Sequence, residues 1–266
     1  MASDASDAKI EQYITVMTQM LSTSADEVQG ALGLIAAGVR EPRTSLGMRL
    51  LALRRYLRMG ESKVVAQWAW TPEKVAQERA SGDVKVLYEL AGATQRAFVT
   101  NNPGFNLLVS PLRSLAKQVG LWITNGSVRE ASAKLLEDVR TELSKDLYTL
   151  APTSISILKF RRALSQMTVR PEPKSAAPGT SDHGQGHAVD FVVVQGRHQI
   201  AGTETKDIAG KWKRDGWERK LIDAIAACNE QQRKGSTGRV PILSGPLKKP
   251  YEPWHWVLCW EDAAQS

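Results

Sequence analysis

The sequence predicts an α+β fold. Apolar residues recur at helical spacing over most of the chain, and only a few short runs read as strands. Those runs, at 106–111, 187–194 and 254–260, are not linked by a regular strand–helix–strand rhythm, so a doubly wound parallel sheet is excluded.

Each element has its own reason. Ile10, Ile14, Met17 and Leu21 fall on one stripe of a helix over 9–22. Ser24 and Glu27 have capping-box spacing ahead of a helix over 25–39. Leu46, Leu50, Leu53 and Leu57 line one side of a helix over 45–59, which ends at Gly60. Arg49, Arg54, Arg55 and Arg58 take up the rest of its surface, a face that solvates or meets an anionic surface. Thr71 followed by Pro72 starts a fourth helix, and "ASGD" stops it. Further helices are predicted over 84–99, 114–122, 127–147 and 153–167, the last capped by Thr153 or Ser154. One or two more occupy 205–232, and "GSTGRVPILSGPLKKPYEP" reads as a loop with room for a short strand. The texture change near residue 84 predicts a helical accessory module over 1–84 and a second domain over 85–266.

Composition narrows the class. The 266 residues carry a net charge of +7, and their first 82 hold almost as many acidic as basic side chains, so the excess lies beyond them. A basic balance suits an anionic partner such as a wall polymer, a membrane face or nucleic acid. Two cysteines, Cys228 and Cys259, are too few for a disulfide framework. The start, "MASDASDAKIEQ", has neither a basic n-region nor an apolar h-region, so no secretory signal peptide is expected and synthesis is placed in the cytoplasm. No run approaches the length of a membrane-spanning helix.

The chemistry concentrates in a chain poor in histidine. None of its four histidines precedes His183, and two of them fall in "SDHGQGHAVDF", beside Asp190. Strand alternation puts Asp190 on one face with Val192 and Val194, and His187 on the other with Val189 and Phe191. His183 lies in the loop before the strand, where Gly184 and Gly186 let the chain fold back toward the carboxylate. A third histidine, His255, follows Glu252 by three positions at the entrance to the last strand. Two histidines and an aspartate make a three-ligand zinc site with one open position, and a nearby carboxylate that is not a ligand can move protons. Cys259 is four strand residues past His255, about 13 Å away, and is excluded from the set. His198 and His187 read as surface residues.

These segments resemble the zinc D-alanyl-D-alanine carboxypeptidase and dipeptidase family, which includes phage L-alanyl-D-glutamate endolysins and shares its fold with the hedgehog signalling domain. The family pattern S-x-H-x-x-G-x-A-x-D is filled by Ser181, His183, Gly186, Ala188 and Asp190, and E-x-W-H by Glu252, Trp254 and His255. An upstream element, "LLVSPLRSLAKQVGLW", supplies Arg113, Ser114, Gln118 and Trp122; Leu112 departs from the tyrosine usual there. The resemblance covers roughly 85–262 and is silent on residues 1–84.

The resemblance implies a small antiparallel sheet with packed helices, and one zinc ion held by His183, Asp190 and His255. It implies Glu252 as the general base and Arg113 as the group that holds the oxyanion. It gives Ser181, Gln118 and Trp254 as substrate contacts. The implied activity is cleavage of stem or cross-link peptides of bacterial peptidoglycan by a phage endolysin or a delivered wall-degrading toxin, acting on the wall after release or delivery. The alternatives are a non-catalytic zinc-stabilised binding module and a cytoplasmic D-Ala-D-Ala dipeptidase. Peptidoglycan is the expected partner, a monomer the expected state, and no nucleic acid is expected. Residues 45–59 are the expected point of contact with an anionic wall or membrane surface.

Overall fold

The computed structural model describes residues 2–21, 25–59, 72–110, 112–234 and 236–262. The α+β expectation holds. Among the described residues the longer helices are α1 (Ala2–Gln19), α2 (Ala25–Gly38), α3 (Pro42–Met59), α4 (Pro72–Ser81), α5 (Asp83–Asn101), α6 (Leu115–Thr124), α7 (Gly126–Leu143), α8 (Ser154–Gln166) and α9 (Trp217–Arg233). The strands are β1 (Asn106–Val109), β2 (Ala188–Gln195), β3 (His198–Ala201), β4 (Arg239–Ser244), β5 (Leu247–Lys248), β6 (Tyr251–Glu252) and β7 (His255–Asp262). The capping box expected at Ser24 and Glu27 lies outside the described residues. No described helix is long and apolar enough to cross a membrane.

The chain forms two compact units that interleave in sequence. One comprises residues 1–70 and 114–184, the other 71–113 and 185–266. The expected division at residue 84 therefore falls inside the second unit, and the first 70 residues share their core with a segment much later in the chain.

The first unit is all helical, with α1, α2, α3, α6, α7 and α8 around one apolar cluster. Tyr13 stands at its centre, edge-on to Tyr148 and Phe160 with ring centroids 5.8 and 5.3 Å away. Its hydroxyl donates to Ser156 Oγ at 2.9 Å, so a buried polar tip is satisfied. Ser156 also closes the capping box that starts α8 with Thr153, the cap residue expected from sequence. Lys9 reaches the carbonyls of Leu143 and Tyr148, at and just past the end of α7. The arginines of α3 are not all surface groups. Arg49 pairs with Glu11, and the buried Arg54 donates to the Met167 carbonyl. Only Arg55 and Arg58 of the four are exposed, because α3 packs along most of its circumference.

The second unit holds the sheet. Its order is β1-β2-β7-β4, with β3 also paired to β2, and every pairing is antiparallel. One face, carrying Val189, Phe191, Val193, Trp256 and Leu258, packs with residues of α5 and α9 into a separate apolar cluster. β5 and β6 form their own two-stranded ladder. β4 takes the room for a short strand left in the stretch at 235–253, and β3 was not anticipated, since "HQIA" is too short and polar to show alternation. The expected helix over 205–232 divides into a turn (Thr205–Asp207), a π-helical segment (Ile208–Arg214) and α9, with the break at Gly216 in the left-handed region (φ 76°).

Deleting residues 1–84 should remove half of the first unit's core and leave Val119, Trp122, Val128 and Leu135 exposed. The truncated chain is expected to aggregate or melt without cooperativity in calorimetry; a soluble, cooperatively melting fragment would contradict the interleaved units. In the full chain, Phe160→Ala should lower stability by about 3–5 kcal/mol in denaturant unfolding, as for other fully buried aromatics.

Candidate metal centre

Two of the three expected ligands are placed by strand register alone. Asp190 lies directly opposite His255 across β2 and β7. The flanking bonds, Phe191 N–H to the Trp254 carbonyl and Leu258 N–H to the His187 carbonyl, make Asp190–His255 a non-hydrogen-bonded pair. That is the pair class in which facing side chains stand closest. Both side chains leave the sheet on the face opposite the apolar cluster, as the alternation of Val189 and Phe191 about Asp190 requires. Asp190 Oδ1 lies 3.1 Å from His255 Nδ1, and both residues are buried.

The third ligand arrives on the loop that enters β2. His183 is buried, and its ligand atom, one oxygen of Asp190 and one nitrogen of His255 all lie within 4.8 Å of one another. Local bonds shape the loop. Ser181 Oγ accepts from the Gly184 N–H at 3.1 Å, and Gln118 Oε1 accepts from the Gly179 N–H at 2.7 Å. The buried Gln118 carboxamide also fills the space beside Gly184, where a Cβ would lie 2.3–2.5 Å from its atoms. Gly186 takes a positive φ of 71°.

Charged neighbours complete the arrangement. Arg113 Nη2 donates to Asp190 Oδ2 at 2.8 Å, so the two oxygens of Asp190 face different partners. Ser110 extends the β1–β2 ladder, its Oγ accepting from Asp190 N–H and its own N–H donating to the Asp190 carbonyl. Glu252 is half-buried, with Oε2 4.0 Å from His255 Nδ1. Burial is the main reason its carboxyl is pushed above the ordinary range; Asp190 adds to the rise, while His255 and Arg113 oppose it.

Two imidazoles and one carboxylate suit zinc, whose bonds to such donors are about 2.0–2.2 Å. Three donor atoms already gathered within 4.8 Å need only a small inward movement to meet one ion. The buried His183–Asp190–His255 group can therefore hold a metal ion.

The residues expected to contact substrate have partners within the chain. Trp254 is buried, packs its indole against Trp212 at 6.1 Å between centroids, and belongs to the apolar cluster. Gln118 and Ser181 are engaged by the metal-bearing loop. Arg113, expected at an oxyanion, pairs with the Asp190 carboxylate. His187 lies 3.8 Å from Asp83, His198 is exposed on β3, and Cys228 and Cys259 are free thiols; none joins the group. Ser110 carried no motif, since its role follows from the register of β1, which no local pattern displays.

Comparison of the chain with family models, curated proteins and solved structures finds no match.

Purified protein is expected to bind a metal ion at this group, and His255→Ala should abolish stoichiometric binding in elemental analysis after dialysis. Retention of the ion by that variant would remove His255 from the ligand set. Gly184→Ala should push the Gln118 carboxamide away and weaken zinc affinity by about 10–100-fold, the range for disturbed support of a ligand, read by competition with a chelator. Unchanged affinity would mean that the loop is set by other contacts.

Proposed function

We propose that the chain is a zinc metallopeptidase that cuts the short peptides of bacterial peptidoglycan, as a phage endolysin or a delivered wall-degrading toxin. One observation carries the reading. Residues from two motifs 65 positions apart, Asp190 and His255, meet with His183 in one buried group, and the non-ligand carboxylate of the second motif, Glu252, stands beside it. A structural His–Asp contact needs neither a third donor nor an adjacent half-buried acid.

Zinc, when bound, supplies a Lewis acid that polarises the scissile carbonyl and acidifies a water. The chain's own groups do the rest. Glu252 Oε2 takes a proton from the attacking water as the oxygen–carbon bond forms, and returns it to the amine nitrogen as the carbon–nitrogen bond breaks. Arg113 holds Asp190 Oδ2, which fixes the carboxylate's rotation and directs Oδ1 toward His255. Half-burial of Glu252 keeps bulk water from competing for its carboxylate.

Digestion of purified peptidoglycan by the zinc-loaded protein, with new termini identified by mass spectrometry, tests the activity. Glu252→Gln keeps size and one acceptor oxygen but cannot take the proton. It should retain zinc and turn over muropeptides at least about a hundredfold more slowly, within the usual range for general acid–base help. Zinc binding with no new termini from any wall substrate would sink the peptidase reading and leave a zinc-stabilised binding module. Near-normal turnover by Glu252→Gln would remove that residue from the chemistry.

A further inference from the structure

The proton transfer proposed for Glu252, on which this reading rests, requires that the residue be held in place. Glu252 sits on the β5–β6 ladder, which has only two residue pairs, Leu247 opposite Glu252 and Lys248 opposite Tyr251. So short a ladder is marginal by itself. The Glu252 side chain adds little anchorage, because its one ion-pair contact among the described residues is the 4.0 Å approach to His255. Something else must keep the carboxylate beside the metal group.

Alternation along β6 sends Tyr251 to the side opposite Glu252. There the Tyr251 hydroxyl donates to the Glu218 carboxylate, in the first turn of α9. The ring lies beneath the Lys213 ammonium, 4.6 Å from its centroid. Lys213 belongs to the π-helical segment, and Trp212 beside it packs on Trp254, the residue before His255. An acidic side chain in the first turn is favoured by the helix dipole, so Glu218 is a stable acceptor. One segment of irregular helix thus braces the chain on both sides of Glu252: at Tyr251 through a cation over a ring, and at Trp254 through indole packing.

We propose that Tyr251, clamped between Glu218 and Lys213, is a positioning residue that sets where the Glu252 carboxylate stands relative to His183, Asp190 and His255. The clamp touches neither the ligands nor a substrate. It acts through the peptide bond between Tyr251 and Glu252.

The test uses the full-length, zinc-loaded protein and purified muropeptides. Tyr251→Phe and Glu218→Ala should each lower kcat by about 10–100-fold, the scale of misplaced catalytic groups, with KM, zinc content and melting temperature near wild type. Glu218→Gln still offers an oxygen to the hydroxyl and should keep most of kcat. The double variant Tyr251→Phe/Glu218→Ala should be no slower than either single one, since both remove the same bond. A second readout needs no activity: in metal-free protein, amide hydrogen exchange over 247–252 should quicken about tenfold in Tyr251→Phe and Glu218→Ala, and not in Glu218→Gln. Wild-type kcat and exchange in Tyr251→Phe, additive losses in the double variant, or losses that follow zinc content or melting temperature would each overturn the clamp. If Glu252→Gln is inactive while Tyr251→Phe is normal, only the positioning role falls. If Glu252→Gln is fully active, the base assignment falls and this proposal with it.

Discussion

The register between β2 and β7 is the constraint on which the metal centre depends. It sets Asp190 against His255 in a close, non-hydrogen-bonded pair. A slip of one residue in either strand would turn that strand's ligand residue into the apolar cluster and bring Val189, Phe191 or Trp256 out in its place. Burying a carboxylate or an imidazole among those groups without a partner would cost several kcal/mol. The tryptophans and valines on the packed face therefore hold the ligands in position on the other face, although none of them touches the ligand atoms.

A buried carboxylate also needs its own compensation. Asp190 has it at both oxygens, from His255 at Oδ1 and Arg113 at Oδ2, while Ser110 bonds its backbone. Removing one partner leaves a charge uncovered, which is the costly direction for a buried ion pair. Arg113 thus bears on the candidate metal site through its hold on Asp190. It makes the site's electrostatics depend on the short link between β1 and α6.

The groups of the site are not equally held. Asp190 and His255 stand on paired strands. His183 rides on a loop whose shape depends on Ser181, Gln118 and two glycines, and Glu252 on a ladder of two residue pairs. Precision falls from strands to loops. His183 and Glu252 are accordingly where distant substitutions act most strongly on the site.

Much of this was legible in the chain itself. Ligand identity, the alternation that separates Asp190 from His187, and the long helices of both units follow from residue type and period, which are local properties. The ends of α2, α5 and α8 lay within a few residues of expectation because caps and turn residues mark them. Other features are set by distant partners. Residues 1–84 read as a separate module because their helices are regular, yet the apolar stripes of the first 70 are completed by residues 114–184, and no local signal announces a partner so far along the chain. Trp254 and Gln118 stand in motif positions, but their burial is decided by Trp212 and by the loop at 179–184. Arg113 was expected at an oxyanion, and its ion pair with Asp190 is a tertiary contact that no local pattern displays, since a buried carboxylate takes the nearest cation. Sequence alone determined which side chains can bind a metal. Only the pairing of β2 with β7 decided that they meet, because bringing together residues 65 positions apart is a property of register and packing.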